Sequence, residues 1–181
     1  MLKQKIYLNF IKLLVYILLF VNRFIKFFYT KNRLNSFLPI VHDMIESKQY
    51  YFQTIGNKSV KFFCPSVMSL TRVQTLHTKE PETINWMNNF DSNEKKIFWD
   101  IGSNIGLYSI YTAIKFQNIN VVAFEPSTSN TRVLSRNITI NKLSDQIKIC
   151  SLPLCDKPNI ISLFRENKFI EGWSGSTFDN N

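Results

Sequence analysis

No acidic residue precedes Asp43: the first 42 residues carry Lys3, Lys5, Lys12, Arg23, Lys26, Lys31 and Arg33 with nothing to neutralise them. That deficit accounts for most of the net charge of +9, because the rest of the chain has 15 Lys and Arg against 13 Asp and Glu and carries only +2. A basic excess confined to one end, with no block of like charge elsewhere, argues against a nucleic-acid-binding domain. Cysteine is scarce as well. Cys64, Cys150 and Cys155 are odd in number and none stand in C-x-x-C spacing, which argues against a zinc site and reads as thiols in a reducing compartment. No metal is expected. The only histidines are His42 and His77, both ahead of the patterned region, and neither is expected to be catalytic. Internal repeats and low-complexity tracts are also missing, so a solenoid or a disordered tail is not the architecture.

What the chain does have is 45% apolar residues over 181 positions, enough for one cored domain with an appendage. Residues 6–21, IYLNFIKLLVYILLFV, are apolar except for Asn9 and Lys12. A helix of that length spans about 24 Å, short of a bilayer core of about 30 Å. At 100° per residue, Lys5, Asn9, Lys12, Tyr16, Arg23 and Lys26 share one arc, and the rest is crowded with Leu, Ile and Phe. Something must cover that apolar arc. Three covers are open: a membrane interface that attracts the basic stripe, a tilted span with Lys12 snorkelling, or the protein's own domain. The membrane surface, contacted through residues 5–28, is the expected partner, with the cations at 23–33 placing the remainder on the cytoplasmic side. Val21-Asn22-Arg23 offers no small-x-small cleavage site for a signal peptide.

Three regions follow: an N-terminal helix over 1–30, a helical and hairpin lead-in over 31–95, and an α/β region over 96–181. In the lead-in, the stretch LNSFLPIVHDMIES suggests a short helix interrupted near Pro39, and Tyr50–Ile55 with Ser59–Cys64 suggest a hairpin turning at Gly56-Asn57-Lys58. Residues 67–90 read as two helical pieces divided at Pro81, a lead-in and not a site. From Ile97 the pattern changes to strand (97–101), helix (107–116), strand (120–124), helix (127–143) and strand (147–151). Such alternation implies parallel strands joined by right-handed crossovers, a partial doubly wound, Rossmann-like sheet with ligands beyond the strands' carboxyl ends.

The densest chemistry is at one such end, FWDIGSNIGLYSI over 98–110. Gly102 gives a backbone without a Cβ against which a cofactor can lie, Asn104 tolerates positive φ and adds an amide, and Gly106 permits close packing of the following helix. A tight turn alone would explain G-x-x-x-G. The next strand, VVAFEP, ends in Glu125, where an acid can accept hydrogen bonds from the hydroxyls of a ribose. A dinucleotide fingerprint would need glycine at 104 and 107, where Asn and Leu stand. That pattern disfavours a pyrophosphate and suits S-adenosyl-L-methionine.

The stretches DIGSNIGLYSIYTA and VVAFEPSTSNTRVLSRNITIN resemble the start of the FkbM-type family of S-adenosylmethionine-dependent methyltransferases, from about Ile97 to about Asp156 and more loosely through SLFRENKFIEGWSGST. The resemblance implies a class I methyltransferase fold and methylation of a hydroxyl on a sugar or secondary metabolite. It implies cofactor contacts at Asp100, Gly102, Ser103, Asn104 and Glu125, with an adenine-side contact near Asp156; Gly106 completes the loop. Ser103 stands where the family commonly has Ala. Family members continue into further strands with a K-x-D-x-E-G-like run, and none follows Ser151. The sheet is therefore expected to lack about half its strands, as a fragment, a decayed product or a chain completed by a partner. The catalytic base is not assignable. Trp99, Cys150 and Cys155 read as core, Arg132 and Arg136 as a solvated helix face, and Trp173 as a wall of an acceptor pocket or a space filler. Two other functions stay open: a non-catalytic membrane-associated remnant or interaction module, and an NAD-dependent oxidoreductase.

Overall fold

The strand and helix alternation after residue 96 is realised in the computed structural model of the chain, which describes residues 2–28, 37–154 and 163–179. They divide into two compact units, Met1–Lys48 and Gln49–Asn181. The first holds α1 (Leu2–Phe28) and α2 (Leu38–Glu46). The N-terminal apolar helix expected from the sequence is thus present, and it is longer than the apolar run alone. Its stretch Lys5–Ile25, 21 residues, is long and apolar enough to cross a membrane, since at 1.5 Å per residue it extends about 31 Å. Pro39 does not interrupt α2. It occupies the first turn, where a missing amide hydrogen costs nothing.

In the second unit β1 (Tyr50–Ile55) and β2 (Lys58–Phe63) form an antiparallel hairpin, with Ile55 paired to Lys58 across Gly56 and Asn57. Gly56 has φ +58°, which a tight turn demands and glycine supplies at no steric cost. Next come α3 (Val67–Gln74), opened by a capping box between Ser66 and Ser69, and α4 (Pro81–Asn88), with Pro81 at its start. Strand β3 (Lys96–Ile101), α5 (Leu107–Lys115), β4 (Ile119–Phe124), α6 (Thr128–Ile140) and β5 (Ile147–Cys150) complete the alternating region. The three strands are parallel in the order β3-β4-β5, so this is an α/β fold. Two short strands not expected from the sequence, β6 (Leu163–Arg165) and β7 (Thr177–Asp179), pair antiparallel to each other.

Successive strands step in one direction, and the right-handed crossovers that such connections follow put α5 and α6 on the same face of the sheet. Val121, Ala123 and Ile147 on that face join Ile110, Val133 and Leu134 in the core, which continues through Phe62, Phe63, Val60 and Ile55 of the hairpin. Among the described residues, the opposite face is bare at β3. Ile97, Trp99 and Ile101 are 68%, 59% and 64% exposed, so the expectation that Trp99 is core is wrong: the strand buries its other face. Among the described residues, β3 also has no neighbour on its outer edge.

Helix α6 holds the hairpin through side-chain amides. Asn137, fully buried, accepts from the Phe63 N–H at 2.7 Å and donates to the Ile105 carbonyl at 3.0 Å. One turn later Asn141 accepts from the Lys61 N–H and donates to its carbonyl. Two asparagines thus complete the free edge of β2 as a neighbouring strand would. Arg136 is likewise no solvated side chain, since its guanidinium lies 3.8 Å from the Phe63 ring centre and donates to the Tyr50 hydroxyl. Arg132 also faces Phe63, at 5.4 Å, and pairs with Glu171 at 3.5 Å. Cys64 is buried, with its thiol pushed up to about 11 by desolvation, an inert core group; Cys150 is half-buried at the sheet's end.

Candidate cofactor site at the strand ends

The carboxyl ends of β3 and β4 are tied together by the loop between β3 and α5. The amides of Gly102 and Ser103 both donate to the Phe124 carbonyl, at 2.9 and 3.0 Å. The Asn104 amide donates to Glu125 Oε2 at 2.7 Å. Three successive N–H groups aimed at one neighbouring strand require an unusual backbone, and Gly102 and Asn104 have φ of +74° and +52°. A Cβ built on Gly102 would meet nothing within 4 Å, so glycine there is demanded by the dihedral and leaves open space beside the loop. Gly106, at φ +86°, has a different role. Its Cβ would lie 2.4 Å from Leu134 Cδ1, so the close approach it permits is to α6 and not to the strand.

Glu125 is 5% exposed and lines a cavity of about 230 Å³ together with Gly102, Asn104, Leu152, Leu154 and Trp173. Its Oε1 accepts from the Ser127 amide at 3.0 Å and from Asn130 Nδ2 at 3.3 Å. A carboxylate offers about four acceptor positions. Three are used, which leaves one on Oε2 for a ligand.

Asp100 goes elsewhere. It is 7% exposed and accepts from Ser109 Oγ of α5 at 2.5 Å. Burial pushes its carboxyl up, and the Ser109 hydrogen bonds only partly offset this. Asp100 lines a second cavity, of about 210 Å³, with Ser103, Arg72, Lys79, Glu80 and Tyr108. The two cavities share Ile101, Gly102 and Asn104 as lining residues, so both border the glycine loop. Two buried polar atoms at these cavities have no hydrogen-bond partner among the described residues, Ser103 Oγ and Trp173 Nε1. Asp156 lies outside the described residues, as does Cys155.

Trp173, left open by the sequence as a pocket wall or a space filler, lines the Glu125 cavity, and the contacts of the turn that carries it were not foreseen. The turn Glu171-Gly172-Trp173 is fastened on three sides: Ser66 Oγ donates to the Glu171 carbonyl at 2.6 Å, Arg72 Nε to the Gly172 carbonyl, and Asn104 Nδ2 and Asn130 Nδ2 both to the Trp173 carbonyl at 3.0 Å. Asn130 Oδ1 in turn accepts from the Gly172 amide at 2.7 Å. Trp173 is thereby placed against the Glu125 cavity, with Lys168 4.2 Å over its ring. At the base of α6, Glu166 accepts from Ser127 Oγ and Thr128 Oγ1, at 2.6 and 2.7 Å. Burial raises its carboxyl, but the Ser127, Thr128 and Ser129 donors outweigh that and bring it down to about 2. Among the described residues, no cluster of three or more His, Cys, Asp or Glu could hold a metal. His77 instead contacts the Thr54 carbonyl at 3.0 Å.

A segment of the chain is similar to a methyltransferase. The relative is methyltransferase sdnD of Sordaria araneosa, 36% identical over 70 residues, covering 34% of this chain and 27% of the relative. The match therefore spans only about a quarter of that protein's length. No protein-family model matches the chain. Solved structures with a similar fold include the N-terminal domain of human METTL16 in complex with SAH, at 16% identity over 69% of this chain and 58% of that one with a TM-score of 0.37. Pyrococcus horikoshii TYW2 in complex with MeSAdo matches at 18% identity over 61% and 38%, with a TM-score of 0.36.

Proposed function

We propose that residues 49–181 form the cofactor-binding portion of an S-adenosyl-L-methionine-dependent methyltransferase of FkbM type, acting on a hydroxyl of a sugar or secondary metabolite. The observation that carries this reading is the junction of the glycine loop with Glu125. The Asn104 amide holds the carboxylate at the lip of a groove that runs over the open Gly102 backbone. The residues present suit the cofactor: Gly102, Ser103 and Asn104 offer a flat backbone, Glu125 keeps one acceptor position for a ribose hydroxyl, and Leu152, Leu154 and Trp173 give an apolar wall for a base. The cofactor would supply a methyl group on a sulfonium, an excellent leaving group. The chain then has to bind, orient and exclude water, and such positioning is worth about 7–11 kcal/mol. Among the described residues, no side chain at these cavities stands out as a general base. Tyr108 is pushed well above its ordinary value by burial and by its hydrogen bond to Glu80, and that same bond holds the Glu80 carboxyl low.

The exposed apolar face carrying Ile97, Trp99 and Ile101 supports the reading that further polypeptide covers it. Helix α1, with exposed Phe10, Leu13, Leu14 and Phe20 beside Lys5 and Lys12, associates with a membrane surface and leaves the remainder in the cytoplasm. Calorimetric titration of the chain with S-adenosylhomocysteine and, separately, with NAD tests the reading. Binding of S-adenosylhomocysteine in preference to NAD is the expected result; preference for NAD, or a folded chain that binds neither, overturns it.

A further inference from the structure

The Trp173 carbonyl receives Asn104 Nδ2 and Asn130 Nδ2, each at 3.0 Å, across 69 and 43 residues of sequence. A carbonyl oxygen has two lone pairs, so this one is saturated by side chains. The same two asparagines hold Glu125: the Asn104 amide donates to Oε2 at 2.7 Å and Asn130 Nδ2 to Oε1 at 3.3 Å. Carboxylate, loop asparagine, Trp173 carbonyl and helix asparagine thus form one closed ring of hydrogen bonds, in which Asn130 is 2% exposed. Neither side-chain amide can turn over within it. Asn104 Oδ1 accepts from the Ile105 amide at 3.0 Å and Asn130 Oδ1 from the Gly172 amide at 2.7 Å, so the reversed amide would set NH2 against N–H and oxygen against the carbonyl. The Trp173 corner of the ring is fixed by α3. Ser66 Oγ, the cap of that helix, donates to the Glu171 carbonyl at 2.6 Å, and Arg72 Nε to the Gly172 carbonyl. Gly172 has φ +87°, and a Cβ there would lie 2.9 Å from the Ser69 nitrogen, so the turn rests directly on the first turn of α3. Gly172 is buried and is not among the residues lining either cavity.

We propose that the Glu171-Gly172-Trp173 turn is a positioning element for Glu125: seated on α3, its Trp173 carbonyl orients Asn104 and Asn130, and these hold the carboxylate at the cavity. The proposal rests on the reading above that Glu125 receives the cofactor, and it gives α3 and residues 171–173 a role that does not require them to touch the ligand. Asn130 is then a positioning residue. Turn and cofactor are linked through it, so whatever loosens the turn weakens binding, and binding tightens the turn by the same factor.

Trp173 itself lines the Glu125 cavity, so the test is made on the full chain carrying Trp173→Ala, which removes the indole and keeps the carbonyl. Gly172→Ala is then added, whose methyl meets the Ser69 backbone and forces the turn off α3. Calorimetric titration with S-adenosylhomocysteine is expected to show the double variant at least about tenfold weaker than Trp173→Ala alone. A difference within about twofold, with both variants folded by circular dichroism, overturns the proposal, since the turn would then act only through its indole. A folded Trp173→Ala chain that no longer binds overturns it for the same reason. Hydrogen exchange gives a second reading that does not depend on the double variant folding. In Trp173→Ala the Gly172 amide, followed by NMR, should exchange at least about tenfold more slowly with saturating S-adenosylhomocysteine than without it, and an unchanged rate overturns the linkage. Failure of the folded, unmodified chain to bind S-adenosylhomocysteine refutes the cofactor reading itself, an outcome distinct from binding without coupling to the turn.

Discussion

Replacing Glu125 by glutamine removes a charge and one acceptor atom while keeping the shape of the side chain. In the native arrangement Oε2 receives the Asn104 N–H at 2.7 Å, and Oε1 receives the Ser127 N–H and Asn130 Nδ2 at 3.0 and 3.3 Å. A glutamine has one oxygen and one NH2, so one of these two positions must present a donor to donors. Placing the oxygen at the Oε1 position keeps two hydrogen bonds and sacrifices one, which makes it the cheaper choice. The bond sacrificed is then the one that holds the glycine loop. A hydrogen bond to a charged acceptor contributes about 1.5–3 kcal/mol, so Glu125→Gln should cost about 2–3 kcal/mol in stability. The same rotation puts an NH2 where the remaining acceptor position for a ribose hydroxyl had been, and S-adenosylhomocysteine affinity should fall roughly tenfold to a hundredfold. Urea unfolding followed by tryptophan fluorescence reads the first effect, and calorimetry the second. A variant within about 0.5 kcal/mol of the parent that binds S-adenosylhomocysteine unchanged would refute the claim that Glu125 joins loop to ligand.

The two loop glycines should separate stability from binding. Gly106→Ala incurs left-handed strain and drives a methyl into Leu134, about 2–4 kcal/mol in all, whereas Gly102→Ala incurs only the strain, about 1–2 kcal/mol, yet puts its methyl into the groove. Denaturation and titration of the pair check this, and equal destabilisation by both would contradict it. Asn137→Ala strands the Phe63 amide and the Ile105 carbonyl inside the core and should cost about 2–4 kcal/mol in urea unfolding; a loss under about 1 kcal/mol would mean the hairpin edge is satisfied otherwise. For Glu166 the folded carboxyl is depressed, so its stabilising contribution is fully present above its unfolded value and is lost as pH falls from about 4.5 to about 2. Melting curves of Glu166→Gln should flatten over that window relative to the parent, and parallel curves would count against the bonds to Ser127 and Thr128.

Local pattern fixed the elements. The apolar strand runs, the helices between them, the proline at 81 and the Gly56-Asn57 turn specify secondary structure through residues close in sequence, and from β1 to β5 the elements form within a few positions of where the pattern puts them. The glycine loop and Glu125 were legible for the same reason, since each ends a strand whose neighbour is set by the right-handed crossover. The tertiary structure alone decided what those residues touch. Nothing in the spacing links Arg72 to Gly172, 100 residues away, or Asn137 to the amide of Phe63, 74 residues earlier. Nor does it say that Trp99 is left on a bare face, because an apolar run reads the same whether one side of the sheet is covered or both. Backbone periodicity is a property of neighbours in the chain, whereas hydrogen bonding, burial and charge at the groove depend on which distant segments the packed core brings together.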